Sequence, residues 1–292
     1  MTMICNLCPR RCAAERGEDL GAGFCGQPSR PVVARAALHH WEEPSISGTR
    51  GSGTVFFSGC VLRCVFCQNG SISRDNFGRA ISVGRLREIF EGLIRQGAHN
   101  INLVSPTPFA LSIRQALEEP LPVPVVWNTG GYERVETLRS MEGRVQIWLP
   151  DLKYADSDLS RRYSGAADYF QVATEAIQEM YRQVGDYEID ETGLLKKGVV
   201  VRHLMLPGAL NDTKAVMDWV AEHFAPGQVL FSLMAQYTPQ PGAQGLLARR
   251  VTGAEYKAAL RYMENLGLTD GYCQEAASAT PEYTPAFDLT GV

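Results

Sequence analysis

Apolar residues along this chain fall into two rhythms. Short, near-continuous apolar runs at 53–57, 101–104, 123–127, 145–149, 198–206 and 229–234 alternate with longer stretches where apolar residues recur every three or four positions. The runs predict strands and the spaced stretches predict helices. Ser82 is placed to cap a helix carrying Val83, Leu86, Ile89, Phe90, Leu93 and Ile94. Further helices are predicted over 109–117, 133–141, 169–183 and 252–266, and another around Val216, Trp219, Val220 and Phe224. A short strand is predicted from Pro31, ahead of a Gly/Ser-rich loop at 48–53, and the acidic stretch 185–197 reads as an exposed connection. The strand–helix unit thus recurs six times. Strands that are apolar on both faces belong to a parallel sheet covered by helices. Eight units close a barrel, so six predict an α/β fold of the partial (β/α)6 TIM-like barrel kind. In such folds the chemistry gathers at the C-terminal ends of the strands.

The first of these strands runs directly into Cys60-Val-Leu-Arg-Cys64-Val-Phe-Cys67. Three thiolates at this spacing can hold three irons of a cubane cluster, which normally takes four cysteines. One iron is thereby left open to a ligand other than protein. A zinc loop or three buried structural cysteines fits less well, because zinc favours Cys-x2-Cys pairs and four ligands. Of the eight cysteines, seven lie within the first 67 residues, a crowding that points to metal or redox chemistry. Cys5, Cys8, Cys12 and Cys25 lie among turn residues and predict a second metal centre, either a fully ligated [4Fe–4S] cluster or a tetrahedral zinc. Unliganded cysteines are the remaining reading there. Cys273 reads as a small core residue, unless it approaches one of the metals. The expected division is a Cys-rich extension over 1–50, the barrel over 51–270 and a tail over 271–292.

Composition narrows the partners. A net charge of −4 argues against a basic nucleic-acid binder. No apolar run approaches the roughly 20 residues that span a bilayer, and residues 1–10 lack the apolar core of a signal peptide. A cytoplasmic protein without membrane or nucleic-acid partners is expected.

The Cys60–Cys67 pattern resembles that of the radical S-adenosylmethionine (radical SAM) superfamily. The resemblance implies that the open iron chelates the amino and carboxylate groups of SAM, and that Phe66 lies against the adenine. Each later strand also ends in polar or turn residues: Ser105-Pro-Thr107, Asn128-Thr-Gly-Gly-Tyr132, Asp151-Leu-Lys153, Arg202-His203 and Gln236-Tyr237. With the spacing from Cys5 to Tyr283, these resemble the pyruvate formate-lyase activating enzyme-like (PflX-type) iron–sulfur proteins. That likeness implies Ser105 and Thr107 at the SAM amino group, Asn128 at the ribose and Lys153 near the carboxylate. It also implies that Asp151 and Lys153 form an activase-like Asp-x-Lys pair, and that Arg202 or His203 completes the grip. Neighbouring strand residues face opposite ways, so only one of those two enters the barrel, with His203 slightly preferred. Tyr132, Gln236 and Tyr237 are candidate substrate contacts. The adjacent His39 and His40 read as a surface pair, with at most one of them facing a site. The implied function is reductive SAM cleavage followed by hydrogen abstraction, with formation of a glycyl radical on a partner enzyme as the leading expectation. The alternatives are a small-molecule or peptide substrate, and a non-catalytic iron–sulfur or zinc protein. A one-electron donor such as flavodoxin or ferredoxin is an expected partner.

Overall fold

The computed structural model describes residues 3–274 and 285–292, so Tyr283 lies outside the described residues. Two short strands, β1 (Met3–Cys5) and β2 (Ala14–Arg16), pair antiparallel as a separate ribbon. Next come β3 (Val32–His39), α1 (Pro44–Ser47), β4 (Ser52–Phe57), α2 (Gly70–Ser73), β5 (Arg79–Ala80) and α3 (Val83–Arg95). The alternating body continues with β6 (Ile101–Val104), α4 (Ala110–Ala116), β7 (Val125–Thr129), α5 (Val135–Arg139), β8 (Ile147–Pro150), α6 (Ser157–Ser164) and α7 (Tyr169–Val184). It ends with β9 (Glu188–Ile189), β10 (Leu195–Leu204), α8 (Leu210–His223), β11 (Leu230–Met234), α9 (Gly253–Asn265) and β12 (Gly271–Cys273).

The six main strands β4, β6, β7, β8, β10 and β11 pair parallel and stand side by side in chain order. That order is the winding of a barrel. It is not closed: the path ends at β12 on one side and at β5, beyond the antiparallel β3, on the other. The sheet is therefore mixed and largely parallel, with β12 adding a parallel strand beyond the last predicted one. Residues of the C-terminal segment run beside β3, where Ala36 N donates to Thr290 O at 2.8 Å.

Local chemistry explains most of the element boundaries. Ser82 caps α3 by accepting from Arg85 N, and Thr252 with Glu255 forms a capping box on α9. The third main strand starts at Val125 instead of 123, since Pro124 has no N–H to place in the ladder. The helix expected from 109 opens as a 3-10 turn over Thr107–Phe109. Two elements run against the sequence pattern. The polar α6 forms behind the Asp156 cap, and the 185–197 connection folds into a β9–β10 hairpin.

Side chains alternate across the strands. Val55, Leu103, Trp127, Trp148, Val199 and Val201 pack outward against the helices. Val126, Ile147, Leu149, Val200 and Leu230 face inward and meet Ile46 of α1. Polar residues of the inward set, nearer the C-terminal strand ends, build the site.

Candidate active site

The cysteine loop leaves the C-terminal end of β4. Gly59 takes φ +77°, and a Cβ there would stand 2.3 Å from the Gln27 side chain, so only glycine fits this turn. Arg74 ties the loop down by donating to Cys64 O at 2.8 Å. Cys60 Sγ accepts from Leu62 N at 3.4 Å, and Cys64 Sγ accepts from Ser164 Oγ at 3.0 Å. Burial pushes the Cys60 thiol up to about 12, with Cys64 and Cys67 adding to the rise. Burial also raises Cys64, against the pull of the Lys153 ammonium. Thiols in this state become ligands when a cationic centre displaces their protons.

All three cysteines line one cleft of about 220 Å³. Among the described residues, no three His, Cys, Asp or Glu side chains meet as one ion requires. Three thiols on one short loop at the mouth of one cleft suit a cubane, in which each cysteine takes a different iron. The residues present therefore fit a [4Fe–4S] cluster with one open iron.

Opposite the cysteines the cleft carries a buried ionic network. Arg202 donates from Nε to Asp151 at 2.9 Å, from Nη1 to Glu42 at 3.0 Å and from Nη2 to Asn128 Oδ1 at 2.6 Å. Lys153 Nζ reaches Asp151 Oδ2 at 2.5 Å. Burial opposes the charge on Lys153, but Asp151 and the nearby thiols outweigh it and hold its pKa above the ordinary value. Asp151 is likewise disfavoured by burial, yet Arg202 and Lys153 keep its pKa below normal. Both partners stay charged. The turn after β7 is close here: a Cβ on Gly131, at φ +80°, would stand 2.2 Å from Asp151 O.

Phe66, Ser105, Asn128, Asp151, Lys153, Arg202 and Gln236 all line the cleft. Ser105 does so at φ +56°. Phe66 is held edge-on by Tyr154, Tyr163 and Tyr237. Four named residues go elsewhere. His203 occupies the outward face of β10, with Nδ1 at Leu152 O (2.7 Å) and Nε2 at Thr213 Oγ1 (3.0 Å). Burial lowers its pKa to about 4, so the ring is neutral. The preference for His203 over Arg202 is thus reversed by strand alternation. Thr107 donates to Glu133 at 2.6 Å, and the buried Glu133 also draws in Trp127 and Thr129. Tyr132 donates to Asp168 at 2.7 Å and stacks on Tyr169. Tyr237 donates to Leu247 O at 2.7 Å. His39 does reach a neighbouring chamber, while His40 is exposed. Cys273 is exposed on β12. Glu42 went unrecognised in the sequence, because nothing local marks it as facing strands β6 to β10.

The N-terminal cysteines lie next to this loop. Cys5, Cys8 and Cys25 are buried and Cys12 is exposed. Burial pushes Cys8 up to about 12, with Cys25 and Cys5 contributing, and Cys25 in turn feels Cys5 and Cys12. The four thiols are therefore electrostatic neighbours. Arg16, 1% exposed, donates from Nη1 to Cys5 Sγ at 3.3 Å and also to the carbonyls of Gln27 and Pro28. Two arginines join the loops reciprocally. Arg10, between Cys8 and Cys12, donates to Val61 O at 2.8 Å and Ser164 O at 2.6 Å. Arg63, between Cys60 and Cys64, donates to Phe24 O at 3.1 Å. Both guanidiniums lie over the Phe24 ring.

A three-cysteine loop on the first parallel strand, facing a charged cleft at the other strand ends, defines a class of protein. Residues 54–220 match the family model of the radical SAM superfamily, more than half of the chain, and the chain belongs to that superfamily. Membership implies a [4Fe–4S] cluster and SAM. The chain is 29% identical over 277 residues to the uncharacterized protein MJ0674 of Methanocaldococcus jannaschii, covering 90% of this chain and 75% of that protein. Its fold resembles HydG, a maturase of the [FeFe]-hydrogenase, with a TM-score of 0.53, 13% identity, and coverage of 85% of this chain and 58% of that one. Methylornithine synthase gives a TM-score of 0.50 at 15% identity, covering 82% of this chain and 72% of that one. At these identities the likeness to HydG and methylornithine synthase is one of fold. The chain spans about half the length of other similar structures, among them SuiB of Streptococcus suis at 47%. Among the described residues no helix is long and apolar enough to cross a membrane.

Proposed function

We propose that this protein binds SAM in the cleft between the cysteine loop and the Asp151–Lys153–Arg202 network, and uses it for hydrogen abstraction from a substrate. The observation that carries this reading is the three-thiol loop opening onto a buried charged cleft. A bound, reduced [4Fe–4S] cluster would supply the electron for reductive cleavage of SAM to methionine and a 5′-deoxyadenosyl radical able to abstract a hydrogen atom from the substrate. Cys60, Cys64 and Cys67 hold the cluster. Lys153, kept cationic by Asp151, would hold the SAM carboxylate, and Asn128, fixed by Glu42 and Arg202, would hold the ribose. Phe66 would pack against the adenine, and the backbone at Ser105 would take the amino group. The apolar interior excludes water that would quench a radical. The electron comes from a flavodoxin- or ferredoxin-like donor, and the four N-terminal cysteines hold a second metal, an iron–sulfur cluster or zinc.

Two substrate readings follow. Activase-like glycyl-radical formation rests on the resemblance of Asp151-x-Lys153. A small-molecule or peptide substrate is favoured by a specific observation, the acid-lined chamber beside the cleft, and is the reading the geometry supports best. The test of the shared chemistry is anaerobic reconstitution with dithionite and SAM, which is expected to yield 5′-deoxyadenosine and methionine. Absence of both products in a cluster-loaded preparation would sink it. A glycyl-radical EPR doublet, formed when a candidate partner enzyme is added, would restore the activase reading.

A further inference from the structure

Beside the cleft, and sharing Asn128, Arg202 and Gln236 with it, lies a chamber of about 150 Å³. Its acids are Glu42 and Glu43, from the segment between β3 and α1. Glu42 is fully engaged, with Oε1 accepting from Asn102 and Asn128 and Oε2 paired with Arg202. Asp151 is engaged by Lys153 and Arg202. Glu43 differs from both. It is 4% exposed, forms no ion pair among the described residues, and its Oε2 has no hydrogen-bond partner, although Ser232 is a polar neighbour.

Two further buried atoms nearby are also without partners. Asn102 commits its Nδ2 to Glu42, which leaves Oδ1 alone, and Gln274 on the chamber wall has an unpaired Oε1. These three are acceptors, whereas the unpaired Ser232 Oγ beside Glu43 is a hydroxyl that brings one neutral donor. Three carboxyl groups (Glu42, Glu43, Asp151) face two cations (Arg202, Lys153), and Glu43 forms no ion pair among the described residues, so burial raises its pKa, with Arg202 opposing and Glu42 adding to the rise. His39 on the chamber wall does not make up the difference, because burial lowers its pKa to about 4. A buried acceptor left unpaired is costly, and a buried unpaired carboxylate more so. A cationic donor would let Glu43 ionise and would serve the open acceptors.

We propose that this chamber is the substrate site and that it takes the substrate by a primary ammonium group ending at Glu43. An ammonium has three donors and no acceptor, which matches the orphan acceptors and the buried acid that lacks an ion pair among the described residues. The SAM sulfonium has no N–H to offer, and a backbone amide brings one donor and no charge. The chamber is well below the roughly 300–1,000 Å³ of drug-sized ligand sites, so it takes a small amine or the amine-bearing end of a peptide. This inference rests on the small-molecule or peptide reading above.

The test uses cluster-loaded protein with SAM, titrated calorimetrically with n-butylamine and with n-butanol. Saturable amine binding, at least about tenfold tighter than alcohol binding, is expected, with a loss of at least about tenfold in Glu43→Gln. The melting temperature of Glu43→Gln should be unchanged or higher, because the variant replaces a buried carboxyl that has no ion pair among the described residues with a neutral amide of the same shape. Equal binding of amine and alcohol, no saturable amine binding, or undiminished binding in Glu43→Gln would overturn the proposal. So would a melting temperature lowered by several degrees, which would make Glu43 a structural residue. The wild-type comparison decides on its own should the variant not fold. If the same wild-type sample makes 5′-deoxyadenosine but ignores n-butylamine, only the subsite fails; if it makes none, the functional reading fails.

Discussion

The loop of Cys60, Cys64 and Cys67 and the loop of Cys5, Cys8, Cys12 and Cys25 are clasped by Arg10 and Arg63, yet their surroundings differ. The first sits on a strand end and opens onto a cleft lined by charged side chains. None of the second four lines that cleft. Beside the second loop, Arg16 is buried against Cys5 and backbone carbonyls. Three thiols beside a charged cavity leave a coordination position that a small molecule can fill, whereas four thiols on a separate ribbon and loop can close a centre on protein alone. Ligand number and adjacent space, more than the cysteines themselves, separate a reactive centre from a supporting one.

The sharpest way to break this comparison is to remove one thiol from each loop. Cys64→Ser should abolish 5′-deoxyadenosine formation and remove about four irons per chain. Cys8→Ser should instead deplete the proposed second metal while dithionite-driven SAM cleavage persists. Equal loss of cleavage in the two variants would mean that the N-terminal centre also serves the reaction.

Next in size is Asp151→Asn, which leaves Arg202 and Lys153 buried with one partner fewer. Unpairing charges of this kind costs about 3–5 kcal/mol, readable by guanidinium denaturation, and SAM affinity should fall with it. Arg10→Ala removes the hydrogen bonds that tie the two loops and should cost about 2–3 kcal/mol. Arg10→Lys should restore little, because an ammonium lacks the planar fork. If iron content of the Cys60 loop is also unchanged in Arg10→Ala, the clasp is not what orders that loop.

The smallest effect concerns Asp212, which holds the start of α6 by accepting from Ala155 N at 2.8 Å and Asp156 N at 2.6 Å. Burial lifts its pKa from 3.8 to about 6. The folded state therefore binds this proton more tightly than the unfolded chain does. Its stabilising contribution is complete below 3.8 and is lost as pH rises through about 6. Wild type minus Asp212→Asn stability should fall by about 1–3 kcal/mol across that window, measured by denaturation at each pH. A flat difference would show that Asp212 is not held protonated.

Much of this was legible in the linear chain. The strand at Ile101–Val104 and the helix from Tyr169 follow from local apolar spacing, and the Cys60 loop from its count and spacing alone. Asp151, Lys153 and Asn128 were found because strand ends in such folds face one cleft. Local pattern failed where orientation mattered. Thr107, Tyr132 and Tyr237 stand in the expected segments, but their hydroxyls are taken by Glu133, Asp168 and Leu247 O. Arg202 and His203 could not be separated until the register of β10 was known.

The sequence by itself determined that a three-thiol loop follows a parallel strand, because both signals lie within a few neighbouring residues. Only the tertiary structure decided that Glu42 meets Arg202, 160 positions away, and that Glu43 lies beside them with no ion pair among the described residues. Those meetings depend on how a non-strand segment packs against the inner face of the sheet. No local periodicity encodes that packing.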